Sequence, residues 1–217
     1  MTIQKSQDHA LLEGQEGWCS DLARSIRIWK EFYHGFNAFR QEKNVITFFG
    51  SARFPEDNPY YVLARKTAQI MGQAGYTIMT GGGPGIMEAA NRGARDVKAR
   101  SLGCSIRLPK EQTSNPYLDL DVNFYYFFVR KTMLVKYSRA FVLFPGGFGT
   151  MDEVFETLTL IQTRKIENFP LIAMGRTYWD NLMPFLEKTM LAYQTINHDD
   201  LALLKITDDP EEALSYL

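Results

Sequence analysis

Two adjacent carboxylates, Asp152 and Glu153, follow the glycine-rich stretch Pro145-Gly146-Gly147-Phe148-Gly149-Thr150, which itself follows the apolar run Ala140 to Phe144. Glycines after a strand let the backbone turn sharply and approach a ligand with no Cβ in the way. The helix that follows offers unpaired amides and the positive end of its dipole. That combination suits a phosphate. A second loop of the same kind, Gly81-Gly82-Gly83-Pro84-Gly85, closes the apolar run Tyr76 to Thr80, and Gly50-Ser51 closes Val45 to Phe49. Neither long loop completes G-x-x-x-x-G-K-[ST] or G-x-G-x-x-G, so a triphosphatase or dinucleotide dehydrogenase is disfavoured and a monophosphate is the simpler guest.

Carboxylates beside a phosphate cradle repel it in a poorly hydrated pocket, so a cation or a separate task for the acid is required. Thr150-Met151-Asp152-Glu153 fits T-x-x-E, a capping box that would make Glu153 structural. The cation is Arg130. At about 100° per residue, Val129, Met133, Leu134 and Tyr137 form the apolar face of the helix after Phe128, and Arg130 falls between Tyr137 and Leu134. An inward guanidinium needs a partner or an anion, the structural alternative being an ion pair with Asp152 or Glu153. Lys131 points about 100° away, as a surface charge would. Glu88 lies opposite Ile86, Ala90 and Ala94 and is expected at solvent or a subunit contact. Phe124 to Phe128 reads as core and pocket wall, because no basic stripe accompanies it as nucleic-acid stacking would require.

The elements that must position these groups alternate. Helices are expected over 60–74, 86–98, 129–137, 151–163 and 178–192, and strands over 45–49, 76–80, 102–108, 122–127, 140–144 and 170–174, with a polar loop from Lys110 to Pro116. Continuous apolar strands alternating with helices predict an α/β fold, a Rossmann-like doubly wound parallel sheet with helices on both faces. Residues 1–42 read as a charged N-terminal helical extension with Leu22, Ile26 and Trp29 at three- and four-residue spacing, and 43–217 as a single nucleotide-monophosphate-binding domain. Open parallel sheets bind ligands beyond the carboxyl ends of their strands, so Gly50-Ser51, Gly81 to Gly85 and Gly146 to Thr150 are expected to line one pocket.

Composition bounds the rest. The 217 residues carry 24 Lys and Arg against 25 Asp and Glu, a net charge of -1 that gives no global attraction to nucleic acid or anionic membrane. Met1 to Ala10 lacks the apolar core of a signal peptide and no run is long enough to span a bilayer, so the expectation is a cytoplasmic protein. Cys19 and Cys104 fit inert thiols, and the three histidines, His9, His34 and His198, adjoin no metal-type spacing. Neither a metal nor a cofactor is expected.

With both loops and Arg130 in place, the sequence resembles the LOG family, the cytokinin-activating phosphoribohydrolases and their bacterial relatives often labelled lysine decarboxylase-like. The resemblance covers about Asn44 to Leu191. Its signature P-G-G-x-G-T-x-x-E stands as Pro145 to Glu153, its G-G-G-x-G-x-M as Gly81 to Met87, and its Arg-Lys pair as Arg130-Lys131, with Phe127 where a Met is usual. The resemblance implies hydrolysis of the N-glycosidic bond of a nucleoside 5′-monophosphate, AMP or an N6-modified AMP of cytokinin biosynthesis, to free base and ribose 5-phosphate. Arg130 and Glu153 are then catalytic. Phosphate and substrate fall to Ser51, Gly82, Gly83, Gly85, Met87, Lys131, Gly146, Gly147, Gly149 and Thr150, with amides of Gly147, Gly149 and Thr150 on the phosphate. Whether Glu88 or Asp152 reaches the ribose stays open. A homodimer or larger homo-oligomer is implied, and the extension resembles the longer bacterial members. Two alternatives remain: a noncatalytic module that senses a nucleotide monophosphate, and a pyridoxal phosphate decarboxylase, for which neither Lys131 nor Lys136 lies in a recognisable cofactor-lysine pattern.

Overall fold

The computed structural model describes residues 18–108 and 113–217; His9, the rest of the first seventeen residues and the start of the Lys110 to Pro116 loop lie outside the described residues. Helix α1 (Trp18–Phe39) leads into β1 (Val45–Phe49), α2 (Pro59–Gln73), β2 (Thr77–Thr80), α3 (Ile86–Asp96), β3 (Ser101–Ile106) and β4 (Leu120–Phe124). Then follow α4 (Phe127–Tyr137), β5 (Ser138–Leu143), α5 (Phe148–Gln162), β6 (Leu171–Met174), α6 (Arg176–Trp179), α7 (Met183–Phe185), β7 (Leu204–Thr207) and α8 (Pro210–Ser215).

The strands form one parallel sheet of seven in the order β4-β3-β2-β1-β5-β6-β7. The chain winds outward from β1 to β4, crosses back, and winds the other way from β5. The topological switch point therefore lies between β1 and β5, where an open parallel sheet leaves a crevice.

Strand β1 shows why the sheet is doubly wound. Val45 and Phe49 pack with Phe39, Val129, Leu134 and Val154 from α1, α4 and α5, whereas Ile46 and Phe48 pack with Tyr61, Ala64, Ala90 and Ala213 from α2, α3 and α8. Side chains of a strand alternate between faces, so a strand apolar at nearly every position needs cover on both.

The predicted alternation is present, with three differences. The single helix expected over 178–192 is α6, α7 and a π-helical stretch at Leu186–Leu191; Pro184 lacks the N–H that one continuous helix would use. Strand β7 and helix α8 lie beyond the last predicted element, because Leu204 to Thr207 is too short for its alternation to stand out. Helix α1 turns Leu22, Ile26 and Trp29, the residues that gave it its apolar spacing, toward solvent, and docks through Ile28, Phe32, Gly35 and Phe39 instead. No helix among the described residues is long and apolar enough to cross a membrane.

Candidate functional site

At the switch point, the residues following β1 and β5 face the start of α5 across a pocket of about 660 Å³. The backbone between the strands is tied together: Ser51 N–H donates to Pro145 O at 2.9 Å and Ile86 N–H donates to Ser51 O at 3.0 Å. All three predicted loops thus meet at Ser51. Gly85 makes this possible, since its φ of +69° lies in the region that favours glycine and a Cβ there would collide with Ser51 O.

Helix α5 starts three residues earlier than the capping box requires. Gly147 is the N-cap with no side-chain cap bond, Phe148 is the first helical residue, and Thr150 sits where the box would place its glutamate. Glu153 therefore lies in the second turn and caps nothing. Thr150 N–H donates to Gly147 O at 3.0 Å, so the expected phosphate donor is already spent. The amides of Gly147, Phe148 and Gly149 have no backbone acceptor among the described residues and stand at the positive end of the helix dipole.

Glu153 is 3% exposed, and its Oε2 has no hydrogen-bond partner among the described residues. Burial pushes its carboxyl up to about 7, against the opposing pull of Arg130 and then Lys131. An unpartnered buried carboxylate is costly, which makes its persistence a pointer to a task. Arg130 shares the pocket wall with Glu153. Its Nε donates to Cys104 O on β3 at 2.8 Å, and its Nη groups make no hydrogen bond to another described residue. Gly81 is bare because a Cβ there would strike Arg130 Nη2 and come within 2.9 Å of Met87 Sδ.

The structure separates Arg130 from the ion pairs proposed for it. Lys131 holds Asp152 at 2.9 Å and Glu156 at 2.5 Å, so it is neither a free surface charge nor part of the pocket wall, and Asp152 is turned away with it. Glu88 is half-buried and accepts from Tyr61 Oη at 3.0 Å, not free in solvent. Burial first, and Glu88 in part, push the Tyr61 phenol up to about 12.

Of the predicted binding positions, Ser51, Met87, Gly146, Gly147, Gly149 and Thr150 line the pocket. Gly82, Gly83 and Gly85 lie outside its wall. The carbonyls of Gly82 and Gly83 accept from Asn115 Nδ2 at 3.1 Å each, which braces the loop behind Gly81. Phe127 lines the pocket, whereas Phe124 and Tyr126 are core.

Two residues were missed. Arg53 lines the pocket two positions beyond Ser51, with its amide donating to Ser51 Oγ at 3.1 Å and its guanidinium free of ion-pair partners among the described residues. The strand-end rule that selected Ser51 could have found it. Tyr178, whose Oη donates to Gly146 O at 2.6 Å, carries no local signal.

A family model described as "Possible lysine decarboxylase" matches residues 87–217. The probable cytokinin riboside 5′-monophosphate phosphoribohydrolase LOGL5 of Oryza sativa subsp. japonica is 36% identical over 62 residues, 28% of this chain and 25% of that protein. The pyrimidine/purine nucleotide 5′-monophosphate nucleosidase of Escherichia coli (strain K12) is 27% identical over 142 residues, 61% of this chain and 31% of that protein. The matches thus span a quarter to a third of those relatives' length. Among solved structures, the molybdenum cofactor binding protein from Rippkaea orientalis shares the fold, with a TM-score of 0.56 at 21% identity over 81% of this chain and 95% of that one.

Proposed function

The chain belongs to the LOG family, the group whose family model carries the lysine decarboxylase description, and from that premise we propose that it is a phosphoribohydrolase acting on a nucleoside 5′-monophosphate. Residues 43–217 form the nucleotide-binding domain and 1–42 its extension. The observation that carries this reading is Glu153: a buried carboxylate with one oxygen unpartnered among the described residues, in one pocket wall with Arg130 and a helix N-terminus whose first amides find no acceptor there.

The amides of Gly147, Phe148 and Gly149 take the 5′-phosphate, with Arg53 as the counter-charge. Phosphate held there fixes the ribose so that its anomeric carbon lies toward Glu153. Cleavage passes through an oxocarbenium-like state, which a carboxylate stabilises more strongly in a dry site than in water. The C1′–N bond breaks with its electron pair leaving on the base. Water supplies the new C1′ hydroxyl, and its second proton is transferred to a ring nitrogen of the departing base, so water is the only co-substrate. Glu153 orients and deprotonates that water, and Arg130 assists departure of the base through the Nη groups that its Nε anchor aims. AMP and N6-modified AMP are the substrates proposed.

The LOG phosphoribohydrolase and nucleotide nucleosidase names of the sequence relatives support this class. Lys131, held by Asp152 and Glu156, is not positioned as a Schiff-base lysine, and the pocket wall carries no lysine among the described residues. Incubation with AMP, GMP, CMP, UMP and N6-isoprenyl AMP, read by mass spectrometry for free base and ribose 5-phosphate, tests the proposal. Release that disappears in Arg130→Ala and Glu153→Gln supports it. Stoichiometric nucleotide binding with no release would replace it with the sensing module.

A further inference from the structure

The buried face of α3 is made of Ile86, Ala89, Ala90, Gly93 and Ala94, and among these buried residues Asn91 alone carries an amide, at 0% exposure. An apolar side chain would fill that place with nothing to satisfy, so an asparagine there calls for partners that matter. Its amide makes the full set of bonds open to it, two donated and two accepted. Nδ2 donates to Ser101 Oγ at 2.9 Å and to Leu102 O at 3.3 Å, both on β3. Oδ1 accepts from Thr80 Oγ1 at 2.6 Å, at the end of β2, and from Asn115 Nδ2 at 3.0 Å. Both of those partners also hold Gly82. Its N–H donates to Thr80 Oγ1 at 2.9 Å, and its carbonyl accepts from the Asn115 backbone N–H at 2.8 Å and from Asn115 Nδ2 at 3.1 Å. Gly82 is thus gripped on both sides in a positive-φ conformation, +75°, that glycine supplies.

We propose that Asn91 is a positioning residue for Arg130, an inference that rests on the catalytic role given to Arg130 above. The guanidinium occupies a slot with two sides. One side is Cys104 O on β3, which holds Nε at 2.8 Å. The other is Gly81, where Nη2 lies in the space a Cβ would take. Asn91 is bonded to β3 directly and, through Thr80 and Asn115, to the residue after Gly81. A side chain outside the pocket wall therefore sets the width of the slot. A buried network satisfied at every member holds one geometry, and removing one member leaves the others desolvated and unpaired. The slot then loosens and the Nη groups lose their aim.

The test sets Thr80→Val, which keeps the shape and removes the hydroxyl, against Thr80→Ser, which keeps the hydroxyl, beside Asn91→Leu. Two quantities are read on the full chain: kcat and KM for AMP, and the hydrogen-exchange rate of Arg130 Nε–H by NMR with isotope-labelled arginine, its signal assigned by its loss in Arg130→Ala. In Thr80→Val and Asn91→Leu, kcat should fall about 10- to 100-fold, the effect of a misplacement of about 1 Å, with KM within about twofold. Exchange at Nε–H should quicken in both, because the bond to Cys104 O is no longer held. Thr80→Ser should restore both quantities, which a general loss of packing would not predict. Wild-type kcat and exchange in a folded Thr80→Val overturn the proposal, and so does a Thr80→Ser as impaired as Thr80→Val. If Asn91→Leu does not fold, the Thr80 pair decides alone. A wild type that releases no base overturns the phosphoribohydrolase reading instead, and the exchange rates still decide whether this network holds Arg130.

Discussion

The Glu31 carboxylate of α1 accepts the backbone amides of Tyr125 at 2.5 Å and Tyr126 at 3.0 Å, closing the start of the helix that carries Arg130. Tyr126 is the N-cap of α4 and has no cap bond from its own side chain. The cap is supplied from 95 residues away. Helix α1 thus braces the helix that carries Arg130, joined to it also by Tyr137 Oη donating to Phe36 O at 3.2 Å.

Glu31→Ala removes charge-assisted bonds from two amides, which should cost about 2–3 kcal/mol in urea unfolding. Catalytic turnover should fall more than KM rises, because the change frees the frame of Arg130 and not the phosphate cradle. Equal stability to wild type would show that water replaces the carboxylate.

The pH behaviour follows from Glu153. Its folded carboxyl is raised from 4.5 to about 7 by burial, so the folded chain binds the proton more tightly than the unfolded chain. Stability is then lost as pH rises from about 4.5 to about 7, by about 3 kcal/mol in all. Glu153→Gln should be more stable than wild type near pH 8 and no more stable near pH 4, measured by urea melts at both. If the ionised form is the working one, kcat/KM of the wild type falls as pH drops below about 7.

Gly81→Ala tests the packing of Arg130. The added methyl meets Arg130 Nη2, so the guanidinium must move from its line between Cys104 O and the pocket. A displacement of about 1 Å costs on the order of 100-fold in turnover. Thermal unfolding should shift far less. Unchanged turnover would mean that Arg130 acts from another position.

Arg53→Ala should raise KM for a nucleoside 5′-monophosphate about 10- to 100-fold, the worth of one charged hydrogen bond, with kcat nearly kept. The corresponding nucleoside, which lacks the phosphate, should be indifferent to the change. Ribose 5-phosphate binding by calorimetry gives the same comparison without turnover. Affinity unchanged in the variant would leave the phosphate to the α5 amides alone.

Much of this was legible in the chain. Strands apolar at nearly every position required cover on both faces, and each glycine-rich loop followed a strand end, which placed these loops at one edge of the sheet. The inward placement of Arg130 on its helix followed from periodicity, and the structure has it on the pocket wall. The capping box was misleading because T-x-x-E describes spacing, whereas the helix start is decided by where the backbone first bends after Pro145 and Gly146. The Arg130 ion pair failed for a related reason: Lys131, one residue on, reaches Asp152 and Glu156 first.

The sequence alone determined the layers, the loops and the identity of the charged groups, since these depend on local turns and on side-chain period. Only the tertiary structure decided which groups meet. Winding order put β1 beside β5 and so brought Ser51 and Arg53 to the Gly146 loop. Docking of α1 chose Ile28 and Phe32 over Ile26 and Trp29. The burial that lifts Glu153 belongs to the assembled fold, and no local spacing encodes a desolvation that the whole fold creates.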